Sequence, residues 1–217
     1  MTDNKEITEF SAKILKAGQL PNITSALLIF LYSSFFMGLR PAQAFWALVI
    51  SAAVVALAQF ILSPITNPIL TKELSKNLSD WEERGETFTD DERTQLFEQA
   101  LSFPQKKSFE TYLYFFACST VIFIGLHFIP LIGISFRTSF ICYIVCILAS
   151  YFAALFAFAY SEGICSDYAR KIIRQGVNNK YVSENRPFGL STINRAIFYL
   201  IIPSLVTTLL TFLIMAG

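Results

Sequence analysis

Charge is scarce in this sequence. Asp, Glu, Lys and Arg together make up 15% of its 217 residues, where a soluble domain carries roughly a quarter. The few charges crowd into residues 1–20, 72–110 and 162–195 and almost vanish between them. A bilayer imposes that distribution, because each charge held in hydrocarbon costs on the order of a few kcal/mol. Histidine is scarcer still, with His127 alone. Motifs that assemble catalytic groups are missing: no phosphate-binding GxxxxGK loop, no HExxH helix, no GxSxG elbow. The four cysteines (Cys118, Cys142, Cys146, Cys165) lie in or at the ends of apolar runs. There they read as small buried hydrophobes, and no pair has disulfide-framework or zinc spacing. A net charge of +1 gives no footing for a nucleic-acid partner. The first twenty residues mix Lys and Glu, unlike a cleaved signal peptide.

What the sequence does have is long apolar runs. Spanning about 30 Å of hydrocarbon takes roughly 20 residues as helix, and five segments qualify or nearly so: 23–39, 41–62, 112–134, 139–160 and 196–215. Every backbone N–H and C=O in lipid needs an internal partner, so these are expected to be helices. The fold class predicted is all-α, a polytopic transmembrane bundle with cytoplasmic helical extensions. Lys and Arg set its orientation. Residues 1–20, the 63–110 connection and the 161–195 connection hold fifteen of the seventeen cations, leaving Arg40 and Arg137 for the other side. The positive-inside rule makes the rich side, and the N-terminus, cytoplasmic. Five crossings with an abrupt stop at Gly217 predict a sixth helix beyond this chain.

The polar parts carry their own patterns. Within residues 1–20, Ile7, Phe10, Ile14 and Ala17 share a helical face, which predicts an amphipathic helix lying on the inner leaflet. Its role is either a simple anchor or a lever on the membrane surface. Asn67 followed by Pro68 reads as a helix start, after which Leu70, Leu74, Leu78 and Trp81 recur at helical spacing as far as Gly85. A second helix is expected from Thr89, with Glu92 closing a capping box and Asp90–Asp91–Glu92 favoured by the helix dipole. Pro104 is expected to end it. Leu101–Phe103–Pro104 before the third span and Arg186–Phe188–Gly189 before the fifth hint at duplicated hairpins.

Candidate functional residues are few. Glu162 is expected to close the fourth span, either paired with Arg170 or Arg195 or as an ordinary interfacial carboxylate. Pro203 interrupts the fifth span and should kink it, a hinge or a packing bend. His127 has no second histidine to share a haem or metal. No catalytic, cofactor or metal site is expected. The apolar runs hold no charge at depth and the outer turns are short, which disfavours ion-coupled transport and excludes an external ligand-binding domain.

The arrangement resembles the six-helix membrane anchor that precedes a HAMP linker and a class III cyclase domain in bacterial adenylate cyclases. Four features carry the resemblance. They are Ser63–Pro64–Ile65–Thr66–Asn67–Pro68 leading into a long acidic connection, Leu101–Ser102–Phe103–Pro104 before the third span, Glu162 with the Arg-containing segment after it, and Arg195 before a fifth span holding Pro203. The sixth helix, HAMP and cyclase sequences are not in this chain, so no cyclase metal-binding aspartate can be assigned. The resemblance implies a sensor or regulatory domain in the bacterial inner membrane. It would act as a homodimer, with the lipid bilayer as its surroundings and a C-terminal HAMP/cyclase effector controlling cAMP. Glu162, Arg195 and Pro203 are then the candidate coupling or hinge residues. A small transporter or lipid-binding membrane protein is the alternative.

Overall fold

A computed structural model describes residues 10, 12–14, 39–129, 133–176, 204–205 and 208. The predicted first and fifth spans lie almost wholly outside the described residues. The fold is all-α, with no strand among the described residues. Helix α1 (Pro41–Leu57) passes through one π-helical turn (Ala58–Leu62) directly into α2 (Ser63–Arg84). Helices α3 (Asp90–Phe128) and α4 (Phe136–Arg174) each run 39 residues without interruption. The α1–α2 rod, α3 and α4 are each long and apolar enough to cross a membrane. At 1.5 Å per residue a 39-residue helix extends about 58 Å, close to twice the hydrocarbon thickness. Each rod therefore has an apolar length for lipid and a polar length for water.

The prolines behave differently from expectation. Pro68 lies inside α2 and Pro104 inside α3, so neither starts nor ends a helix. Proline removes one N–H and crowds the preceding turn. At α2 the widened turn, in which Ser63 N–H reaches back to Ala58 C=O, stands just before Pro64 and Pro68 and accommodates them. At α3, Phe103 and Pro104 are both buried, and packing overrides the local preference. The Phe-Pro break on which the duplicated-hairpin reading leaned is accordingly absent. The Thr89 cap stands as expected: Thr89 N–H donates to Glu92 Oε2 at 2.9 Å, and Glu92 N–H donates to Thr89 Oγ1 at 3.3 Å. Gly85 ends α2 at φ +52°, ψ −115°, a backbone region that side chains disfavour.

Two cores hold the rods. At the polar end, Leu74, Leu78 and Trp81 of α2 meet Leu96, Phe97 and Phe103 of α3 and Cys165, Ala169 and Ile172 of α4. Burying each large side chain stabilises by about 1.5–3 kcal/mol. Phe10 and Ile14 close this core, 3% and 1% exposed, with the Phe10 ring edge-on to Phe103 and Tyr168. Phe10 and Ile14, the described residues of the expected amphipathic face, thus pack into protein, where a leaflet had been expected. In the apolar half, Ala47 of α1, Ile122 and Leu126 of α3, Ile134 just before α4 and Cys142 of α4 form a second cluster. The buried small residues Cys118 and Ser119 of α3 and Cys146, Ser150, Ala153 and Ala157 of α4 lie where the two helices pair, with Ser119 Oγ standing 3.4 Å from Ser150 Oγ. Small side chains allow the close approach that helices in lipid need. Their hydroxyls bond back to the carbonyl four residues earlier, as in Ser119 to Phe115 and Ser150 to Cys146, both 2.7 Å. Gly125 seats Ile50 of α1, and a Cβ there would lie 3.3 Å from Ile50 Cγ2. The outer apolar side chains, among them Phe60, Ile69 and Phe109, are exposed from the protein, as a lipid-facing surface requires.

Candidate functional site

The junction between the polar and apolar lengths is marked by a three-residue network. Lys107 Nζ donates to Asn67 Oδ1 at 2.9 Å and to Glu110 Oε2 at 2.7 Å. Asn67 is 2% exposed, and the Lys107 and Glu110 side chains are 11% and 24% exposed. Thr71 Oγ1 donates to the Asn67 carbonyl at 2.8 Å, and Ser108 Oγ ties α3 to the Ala154 carbonyl of α4 at 2.9 Å. A cation this enclosed is stable only because both partners are in place. Further into water, Gln99 accepts from Asn77 Nδ2 at 2.7 Å and donates to Glu73 Oε1 at 3.1 Å. Arg84 pairs with Glu92 at 3.1 Å while lying over the Phe88 ring. These bonds fix α2 and α3 as an antiparallel pair. Arg93 Nη1 donates to the Gln175 carbonyl at 2.7 Å, so a cation of α3 caps the negative end of α4.

Electrostatics at the α3 start are equally local. The Thr89 backbone N–H and hydroxyl, and then the Arg84 guanidinium, hold the Glu92 carboxyl below the usual glutamate range.

Between α2, α4 and the N-terminal segment lies a crevice. One chamber of about 490 Å³ is bordered by Lys13, Asp167, Tyr168, Arg170, Lys171 and Arg174. A smaller one of about 190 Å³ shares Lys13, Tyr168 and Lys171 and reaches Ser75, Ser79 and Glu82. Ser75 and Ser79 stand one turn apart on α2, 2% and 3% exposed, and their hydroxyls have no hydrogen-bond partner among the described residues. An unmet buried hydroxyl costs about 1–3 kcal/mol.

Of the residues expected to matter, Glu162 does not close its helix. It sits half-buried within α4, which continues twelve residues to Arg174. Arg170 is two turns away, about 12 Å along the axis, and forms no ion pair with it. Arg195 and Pro203 lie outside the described residues. His127 stacks on Phe123 and meets Phe128 and Phe136 edge-on, in an aromatic cluster at the far end of α3. Among the described residues no three His, Cys, Asp or Glu side chains converge as a metal site would require.

Sequence reasoning missed the Asn67–Lys107–Glu110 network and the Ser75–Ser79 pair. The available signals were the Lys107/Glu110 spacing at the edge of an apolar run, and the Thr71–Ser75–Ser79 stripe beside Leu70–Leu74–Leu78. In comparisons with protein-family models, curated proteins and solved structures, nothing matches this chain.

Proposed function

We propose that this chain is a membrane-embedded sensor or regulatory module that passes rearrangement of its lipid-facing helices to a water-facing effector. One observation carries the reading: three helical rods run from the apolar to the polar core without a break in the helix. Displacement at one end of such a rod reaches the other, whereas a loop at the membrane surface would absorb it. Packed cores adopt discrete arrangements, which gives the module two positions to switch between. The Lys- and Arg-rich end is the cytoplasmic one in this reading, by the positive-inside rule. The resemblance to adenylate cyclase anchors makes the effector a HAMP-linked class III cyclase domain producing cAMP, and the working unit a homodimer in a bacterial inner membrane.

Paired spin labels test the mechanical part. With one pair at Glu83 and Arg174 and another at Val49 and Val121, all exposed, interlabel distances are measured in bilayers of increasing thickness. Both pairs should shift together. If the membrane pair moves while the polar pair stays fixed, the rods are not transmitting. The effector is tested separately: the complete gene should restore cAMP synthesis to a bacterium lacking its own cyclase.

A further inference from the structure

The crevice between α2, α4 and the N-terminal segment has a charge and polarity that the signalling reading does not use. Four cations border it, Lys13, Arg170, Lys171 and Arg174, against the two carboxylates Asp167 and Glu82. Arg170 and Arg174 stand one turn apart on one face of α4, and neither forms an ion pair among the described residues. Like charges so placed repel weakly in water, and an anion lying between them relieves that repulsion. Guanidinium forks match phosphate oxygens in shape as well as charge. In the smaller chamber, which shares Lys13, Tyr168 and Lys171 with the larger, the buried hydroxyls of Ser75 and Ser79 lack partners among the described residues. Other buried hydroxyls of these helices, including Thr71, Ser119, Ser150 and Ser161, bond back to a carbonyl four residues earlier. Ser75, Ser79 and Ser139 are the exceptions among the described residues, and the first two border the crevice. The larger chamber falls within the size range of small-molecule sites.

We infer that this crevice binds a phosphate-bearing anion across its two joined chambers, held by Arg170, Lys171 and Arg174 of α4 and by the Ser75 and Ser79 hydroxyls of α2. Phosphate groups reach a membrane protein from lipid headgroups or from solution, and position along α4 decides between them. The three cations lie about 15–21 Å beyond Tyr160 at helical rise, whereas a headgroup layer is only about 5–8 Å thick. The ligand is therefore a soluble phosphate compound. This site stands whether or not the chain signals.

The test uses the full chain in nanodiscs at constant ionic strength, with inorganic phosphate and then pyrophosphate as probes in a calorimeter. In phosphatidylcholine nanodiscs binding should be saturable. It should weaken at least tenfold in R170Q/R174Q and severalfold in S75A/S79A, with the melting temperature of S75A/S79A undiminished. The serine variant guards against a folding defect, since it removes two unmet hydroxyls from a packed helix. Absence of saturable binding to both probes overturns the site, as does binding that both variants leave unchanged. A requirement for phosphatidylglycerol in the nanodisc, with no response to soluble phosphate, overturns the soluble source.

Discussion

Lys107 holds together two helices where the polar length of α3 gives way to the apolar one. Its ammonium satisfies Asn67 from α2 and Glu110 from its own helix in a place with little water. Lys107→Ala should cost about 2–3 kcal/mol in chemical unfolding of the detergent-solubilised protein, because it strands both partners. The paired change Lys107→Met with Glu110→Leu should recover most of that loss, leaving no charge to solvate. Glu92 gives a prediction in pH. Its folded-state pKa lies below the unfolded value, so its contribution is present above the ordinary glutamate range and fades as pH falls through the lower folded value. Amide exchange in the first turn of α3 should therefore accelerate in acid, beyond the intrinsic pH trend. In Glu92→Gln that excess should vanish. Of these two networks, only the second was visible beforehand. The Thr89–Glu92 box is four residues long and legible as text, whereas Lys107 and Asn67 are forty positions apart and meet only once the helices pair.

At the scale of elements, the sequence marked helix ends where local chemistry dominates and misplaced them where packing does. Gly85 and Thr89 delimit a real turn. Pro68 and Pro104 looked like boundaries, yet a widened turn before one and a buried seat for the other let the helices continue. The Leu70–Leu74–Leu78–Trp81 stripe identified a core face correctly, but polarity hid the buried serines beside it. Gly85→Ala should destabilise the α2–α3 hairpin by about 1–3 kcal/mol through backbone strain alone, since nothing lies within 4 Å of the added Cβ. Thermal unfolding of the variant measures it. At the small-residue seam, Ala153 is fully buried between α3 and α4. Ala153→Leu should cost about 1–3 kcal/mol by forcing the pair apart, and Ala153→Gly far less.

Over the whole molecule, both cores mix large and small side chains. Leu, Phe and Trp dominate the polar end, where water drives them together, while in the apolar half Ala, Ser and Cys positions at the α3–α4 seam are interspersed with Phe115, Ile122, Leu126 and Val145. Phe10 and Ile14 make the N-terminal segment a structural part of the first core. Replacing both by Ala should loosen it, at a cost on the order of 2–5 kcal/mol for each buried side chain. With the other three cysteines changed to Ala, maleimide labelling of Cys165, now 2% exposed, should accelerate many-fold. An unchanged rate would mean the segment merely rests on the surface. In a bilayer that takes up the apolar length of α3, the Lys107–Glu110 pair is the waterline. Between it and the far end of α3 lie only the eighteen residues from Thr111 to Phe128, about 27 Å of helix, at the thin end of biological bilayers. The protein cannot settle deeper without drowning that pair in hydrocarbon, so a thickening membrane must stretch the contact or thin around it, and α3 carries the resulting load.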